Sequence, residues 1–289
     1  MAFLNNLGNR LSLTEAGLAA AIVTLRQDGD LTDLEKRIIS IFRDQFSPLS
    51  SLDNTEYETN LQRAMSVANN VAGNVTNFVN TSIAPSVTQP QHRTELYRYC
   101  YALSMADLIV DDGETAMLSA LATGLSVPSD AAHQAENDVL IEFHGLHRAL
   151  AATVIGLIVV TADGRVEQSE LDNVRNARAV LEPIAHMDDL QFGLVFDLSL
   201  NIHDRFLLDP TNRSAFLTNL VSQLLNTHEL GLQAFEYAAS VATADGDISQ
   251  AELGMLKSLL EGLHIQDSDG EEIFNRYFAR VQTIDGKPR

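Results

Sequence analysis

Cysteine, basic side chains and strand-type patterning are all scarce in this 289-residue sequence, and each shortage removes a class of protein. The single cysteine, Cys100, excludes an internal disulfide framework and a cysteine-based zinc site, and points to a reducing compartment. Nineteen Lys and Arg stand against thirty-nine Asp and Glu, a net charge of −20. A phosphate backbone needs a Lys/Arg surface, so nucleic acid is excluded as a partner, and simple adsorption to anionic lipid is disfavoured for the same reason. The balance favours a soluble protein that attracts cations or meets a basic partner surface. Eighteen acidic and eight basic residues precede His147, and twenty-one and eleven follow it, so each half carries −10 and the charge is not a tail. The longest uncharged apolar run, Ala149 to Ala162, falls short of the roughly 20 residues that span a bilayer. It reads as a buried core helix, with no direct membrane insertion. The start, MAFLNNLGNRLSLTEAG, has no apolar stretch between a basic region and a small-residue cleavage site, which makes it a poor secretory signal. A cytoplasmic location is the expectation.

No alternating β-branched run bounded by hairpin turns occurs anywhere, and the expected fold class is all-α. Helical periodicity is plain instead. Thr14-Glu15 opens a helix whose Leu18, Ala21, Ile22 and Leu25 form an i, i+3, i+4, i+7 stripe. Further helices are expected over Asp33–Phe46, Asn54 to about Thr81 (long or broken), Arg93 to about Val110, and Asp130–Leu146. The second half adds the apolar run to Ala162, Glu170–Leu181, Asp188–Leu200, Arg213–Leu225, two helices around position 246, and Asp267 to about Val281. The stretch 66–90 carries no charge and reads as a helix end and linker whose bland surface could face a partner. The stretch 144–150 (HGLHRAL) holds no Gly/Pro/Ser linker, which suits a continuous helix across the middle of the chain.

The feature that could carry chemistry is a corner, TADGDISQAE at 243–252. Gly246 can take the left-handed conformation that ends one helix, and Ser249 with Glu252 spells the capping box that starts the next. The corner gathers Asp245, Asp247 and Glu252. It recurs as DGRVEQSE at 163–170 (Asp163, Glu170) and DGDLTDLE at 28–35 (Asp28, Asp30, Glu35), where Thr32 and Glu35 form another capping box. A fourth copy is read at Asp112-Gly113-Glu114 as a shortened corner that lacks part of the loop. The helix after it, ETAMLSALATGLSV, matches ELGMLKSLLEGLHI, with Met117 over Met255, Leu118 over Leu256 and Gly124 over Gly262. The interval from Asp28 to Asp112 nearly equals that from Asp163 to Asp245, so one pair of corners is used twice and the chain reads as a tandem duplication. The expected division is an N-terminal arm at 1–13, a first domain at 14–147 and a second at 148–289.

Two readings of these carboxylates compete. Counted back from Glu252 as position twelve of a calcium loop, Asp245, Gly246, Asp247 and Ser249 fall at five, six, seven and nine, but positions one and three are Val241 and Thr243. Calcium takes six to eight oxygens, so a site for Ca2+ or another divalent cation would need two corners facing each other. The alternative is that the carboxylates cap helix starts. Glu142, His144 and His147 offer a weaker transition-metal spacing, beside the reading of an exposed pair at the domain boundary. No P-loop, GxGxxG, zinc-protease or Ser-His-Asp motif is present, and Met117 and Met255 read as core.

An Ala-rich helix ending in ADG, a Glu seven places later, a gap of about eighty positions, and a second ADG followed by a leucine-rich helix closing in Gly-Leu resemble the TerB-like family. This is the fold of the tellurite-resistance protein TerB and of the N-terminal domain of the co-chaperone DjlA. The likeness spans most of the chain, is strongest at 161–170 and 243–252, and is weakest at 112–114. The resemblance implies two bundles of about seven helices, an acidic patch that binds metal, and a non-catalytic role in stress or toxicant resistance through partner proteins. Those partners would carry a basic surface or be membrane-associated, which would place the chain in the cytoplasm or at the inner membrane through a partner. A divalent-cation sensor with paired corners, and a metal-dependent hydrolase, are the alternatives in other classes.

Overall fold

The computed structural model describes residues 10–26, 31–69, 71, 74–162, 168–244, 246 and 248–278. The chain divides into two compact units, Met1–Phe143 and His144–Arg289. Among the described residues every regular element is helical and none is a strand. The first unit contains α1 (Leu13–Leu25), α2 (Asp33–Ile41), α3 (Asn54–Ala68), α4 (Pro90–Ser104), α5 (Asp112–Gly124) and α6 (Ser129–Glu142). The second contains α7 (His144–Val160), α8 (Gln168–Asn176), α9 (Asp189–Ile202), α10 (His228–Ala242), α11 (Gln250–Gly262) and α12 (Asp267–Phe278). A non-helical residue, Phe143, separates α6 from α7, so the chain does not cross its middle as one continuous helix.

Each unit is assembled around its first helix. In α1 the residues from Glu15 to Ile22, and Thr24, are buried, and in α7 every residue from Ala149 to Val160 is. A helix apolar all round has no solvent face and must be enclosed on every side. Accordingly α1 is packed by α3, α4 and α5, and α7 by α8, α9, α10 and α11. Burying each Leu, Ile or Val of these helices contributes about 1.5–3 kcal/mol. Among the described residues no single helix is long and apolar enough to cross a membrane.

The units repeat one another element by element. Gln168 and Asp189, which open α8 and α9, stand at one sequence offset, 135, from Asp33 and Asn54, which open α2 and α3. His228, Gln250 and Asp267, which open α10, α11 and α12, stand at an offset of 138 from Pro90, Asp112 and Ser129, which open α4, α5 and α6. Between α2 and α3 the chain makes a tight helical turn at Phe42–Gln45 and a single turn at Ser47–Ser50. Their counterparts between α8 and α9 are Ala177–Val180 and Glu182–Ala185, at the first of these offsets. Pro48 and Pro183 open the second turn, where a missing N–H costs nothing. The side chains repeat as well. Arg43 lies 5.6 Å over the ring of Tyr57, and Arg178 lies 5.1 Å over that of Phe192, with both members of the pair in register. Tyr99 Oη donates to Ile39 O (3.0 Å) and Tyr237 Oη to Val174 O (3.1 Å). Both rings are fully buried and burial pushes both phenols well above their ordinary pKa, so each hydroxyl stays a donor at any working pH.

The uncharged 66–90 stretch begins as the end of α3 and, over its described residues, lends apolar side chains to the core instead of running as a bare linker. Val75–Phe78 leads into a π-helical turn at Val79–Ile83, and Phe78, Val79, Ile83 and Val87 are buried, packed toward α1 and α5. The approach to α5 is close: a Cβ on Gly124 would lie 2.7 Å from Val79 Cγ1. In register with it, the second unit has a π-helical turn at Phe216–Val221 with Phe216, Leu217, Val221 and Leu225 buried. The apolar side chains of the 66–90 stretch face inward while Asn74, Thr76, Asn77, Asn80 and Thr81 are exposed. The helix expected from Asn54 to about Thr81 ends at Ala68, and α8 ends at Asn176 before a tighter turn.

Tyr99→Phe and Tyr237→Phe each remove one buried hydroxyl bond of the same geometry. Each is expected to lower unfolding stability by about 1 kcal/mol, and by similar amounts, in urea denaturation of the full chain.

Candidate functional site

The corners are built from helix ends. An α-helix begins with N–H groups that have no partner within it, and capping boxes satisfy two of them reciprocally. At α2, Thr32 N donates to Glu35 Oε2 (2.6 Å) and Glu35 N to Thr32 Oγ1 (3.2 Å). At α11, Ser249 N donates to Glu252 Oε2 (2.7 Å) and Glu252 N to Ser249 Oγ (3.1 Å). At α5, Asp111 N donates to Glu114 Oε2 (3.0 Å) and Glu114 N to Asp111 Oδ1 (2.9 Å). Glu35, Glu114 and Glu252 thus each hold the backbone N–H of the residue that starts their helix. Glu170 occupies the corresponding third position of α8. Asp28, Asp30, Asp163, Asp245 and Asp247 lie outside the described residues. Among the described residues no group of three or more His, Cys, Asp or Glu could hold a metal ion.

The fourth corner differs from the shortened one expected at Asp112-Gly113. Asp111 is the N-cap of α5 as Ser249 is of α11, so Asp112 and Gly113 occupy the first helical turn, opposite Gln250 and Ala251. The same register pairs Asp107 with Asp245 and Leu108 with Gly246. Backbone geometry follows the pairing: φ is +66° at Leu108 and +90° at Gly246. Leu108 N donates to Met105 O (3.2 Å) and Gly246 N to Thr243 O (3.1 Å). The corner is full length, with a leucine where the other three have glycine. A left-handed Leu is uncommon and strained. Leu108 is buried, and Asp107 Oδ1 accepts from Ile109 N (3.1 Å), closing the bend from its own side chain. Asp112 is on the helix rather than in a loop. The motif was hidden because its signature glycine is absent; carrying the Met117 and Met255 register back to Asp107 and Asp245 would have found it.

The calcium-loop count also meets the structure. Val241 is buried in α10, and the Thr243 hydroxyl donates to Ala239 O (2.8 Å), so positions one and three belong to the helix and its end. The Glu142, His144 and His147 trio is divided. Glu142 ends α6 and accepts from Gln45 Nε2 (2.7 Å) and from Arg98, while His147 on α7 is buried rather than exposed. Met117 is buried and Met255 half-buried.

One further carboxylate is firmly held. Glu15 accepts from Ser12 N (2.7 Å) as a capping box at α1 and from Arg63 Nη1 (3.1 Å). Burial pushes its carboxyl pKa up, but the Ser12 N–H and the Arg63 guanidinium outweigh this and leave it below its ordinary value of 4.5. Between α10 and α12, the Arg276 guanidinium bridges Glu236 (2.7 Å) and Glu272 (3.3 Å), a surface network.

No protein-family model, no curated protein and no solved structure matches the chain.

Gly246→Ala is expected to destabilise by about 1 kcal/mol through its positive φ alone, because nothing lies within 4 Å of the added Cβ. Glu252→Ala is expected to cost about 1 kcal/mol and Glu252→Gln less than half of that, since the amide oxygen can still accept from Ser249 N. Both are read from thermal or urea unfolding. A depressed carboxylate contributes stability above its unfolded pKa and loses it as pH falls through the folded value. The stability gap between the wild type and Glu15→Gln should therefore be full at pH 6 and shrink as pH drops below about 4.5.

Proposed function

We propose that this chain is a non-catalytic, acidic interaction module made of two TerB-like helical units, each presenting its pair of corners to a protein partner with a basic surface. The observation that carries this reading is the recurrence of elements and side-chain interactions in register, through turns, caps and buried hydroxyl bonds. A chain that keeps two copies of one plan, each at −10, with only Phe143 between the helices of one unit and the next, is suited to two equivalent docking faces. Two such faces on one chain raise the effective concentration of the second contact without any new interaction. The capping role of Glu35, Glu114 and Glu252 supports a structural duty for those carboxylates, each of which gives an oxygen to a helix start. The negative charge of both units supports long-range attraction of a basic partner, with an on-rate that falls steeply with salt.

The test is isothermal titration of the metal-stripped chain with calcium, magnesium, zinc and manganese, with cross-linking mass spectrometry of the chain in its own cells. The expected result is no saturable site of micromolar or better affinity, and cross-links from corresponding positions of both units to the same basic protein. A micromolar site abolished by Asp245→Asn with Glu252→Gln would replace this reading with a cation sensor.

A further inference from the structure

One cluster plays no part in the corners' capping. Thr161, buried, follows the last turn of α7 and leads toward the corner at 163–170. Its Oγ1 lies 2.7 Å from His203 Nε2 and 2.7 Å from Leu157 O. His203, 1% exposed, opens the π-helical turn His203–Leu207, and its Nδ1 lies 3.0 Å from Asp204 Oδ1. Asp204 is 68% exposed, so this chain of contacts runs from the buried end of α7 to solvent.

The hydroxyl has one proton and two acceptors within reach. With a neutral ring protonated on Nδ1, that proton goes to Asp204, Nε2 is a bare acceptor, and the Thr161 hydroxyl turns to it. Leu157 O is still satisfied by Thr161 N at 3.0 Å. With both ring nitrogens protonated, Nε2 donates to Thr161 Oγ1, and the hydroxyl swings to Leu157 O. Every polar atom of the cluster has a partner in both states, so the buried ring can gain a proton, delivered through Asp204, without orphaning a group. The positive ring then lies between the Asp204 carboxylate and the carbonyl end of α7, which carries partial negative charge.

The first unit has no such device at the corresponding places. In the register that pairs α2 with α8, Thr161 and Asp204 stand opposite Arg26 and Asn69, and Arg26 Nη1 donates to Asn69 Oδ1 at 2.5 Å. An arginine does not titrate in a protein. The same two places are tied together in both units, by a permanent charge in one and through a histidine in the other.

We propose that Thr161, His203 and Asp204 form a proton-operated catch where α7 gives way to the second unit's first corner, so that mild acid alters how Thr161 and Ala162 are held while Arg26 in the first unit is left unchanged. The elements packed against the 203–207 turn are α7, α9 and the helix Pro210–Ala215. Besides Asp204, the charged groups nearest the turn in sequence, on it or on these elements, are Asp197, Arg205, Asp209 and Arg213. Asp209 caps Thr211 N (2.7 Å), and Arg213 Nε donates to Leu207 O (3.0 Å), so these two are engaged elsewhere.

The experiment is nitrogen-15 NMR of the full chain, labelled in histidine and backbone, from pH 8 to pH 5, with His203 assigned by its loss in His203→Gln. The expected result is a neutral ring protonated on Nδ1 at the alkaline end and on both nitrogens at the acid end. The Thr161 and Ala162 amides should move with the same midpoint, while the Arg26 amide stays still. Thr161→Val should displace that midpoint by about half a pH unit or more, a threefold change in proton affinity. A ring that keeps one protonation state throughout, one protonated on Nε2 at pH 8, or amides at 161–162 that ignore its titration would each overturn the proposal. The wild-type titration decides this even if Thr161→Val fails to fold.

Discussion

A chain made of helices must find partners for the N–H groups at the start of every one, and that constraint shapes the bends of this protein. Among the described residues, six helices begin with a reciprocal capping box: α1, α2, α3, α5, α9 and α11. In five of them the third residue is glutamate; in α9 it is Gln191. Much of the chain's acidity near helix starts follows from this duty, reinforced by the attraction between carboxylates and the positive end of a helix. What looks in sequence like a ligand set is, for Glu35, Glu114 and Glu252, part of how a helix starts.

The two units keep the parts of the plan that packing cannot vary and alter the rest. The buried tyrosine on the fourth helix, the proline after the second and the π-helical turn before the fourth are in register. So are two left-handed residues, Ser126 and His264, that follow α5 and α11. At each, the next residue's N–H reaches back five positions, Val127 N to Ala122 O (2.9 Å) and Ile265 N to Leu260 O (3.0 Å), which closes the helix. The variations fall where a position can be met by a second arrangement. Glycine becomes Leu108 where a buried side chain and the Asp107 carboxylate compensate for strain, and Arg26 with Asn69 is replaced by Thr161 with His203 and Asp204.

How much of this could be read beforehand follows the range of each interaction. Capping boxes and the periodicity of α1 and α7 are local, and Thr32 with Glu35 or Ser249 with Glu252 declare themselves within one helical turn. The all-helical class was legible for the same reason. The burial of Phe78, Val79, Ile83 and Val87 was not, because an uncharged run of Asn, Thr and Val looks alike in a linker and in a turn that sets Val79 against Gly124. The corner at 106–114 reads in sequence as a shortened one at Asp112-Gly113 because its left-handed position is filled by Leu108 in place of glycine. Nothing in the sequence announces that Thr161 and His203, far apart along the chain, share a hydrogen bond.

The corner glutamates Glu35, Glu114 and Glu252 hold helix starts, and backbone hydrogen exchange at the N-cap amides of Thr32, Asp111 and Ser249 is the measurement that checks this role. In the metal-stripped chain all three amides should be protected, because a carboxylate accepts from each, and millimolar calcium should leave their exchange rates and chemical shifts unchanged. Amides that exchange freely without metal and become protected when calcium is added would contradict the account and make these carboxylates ligands.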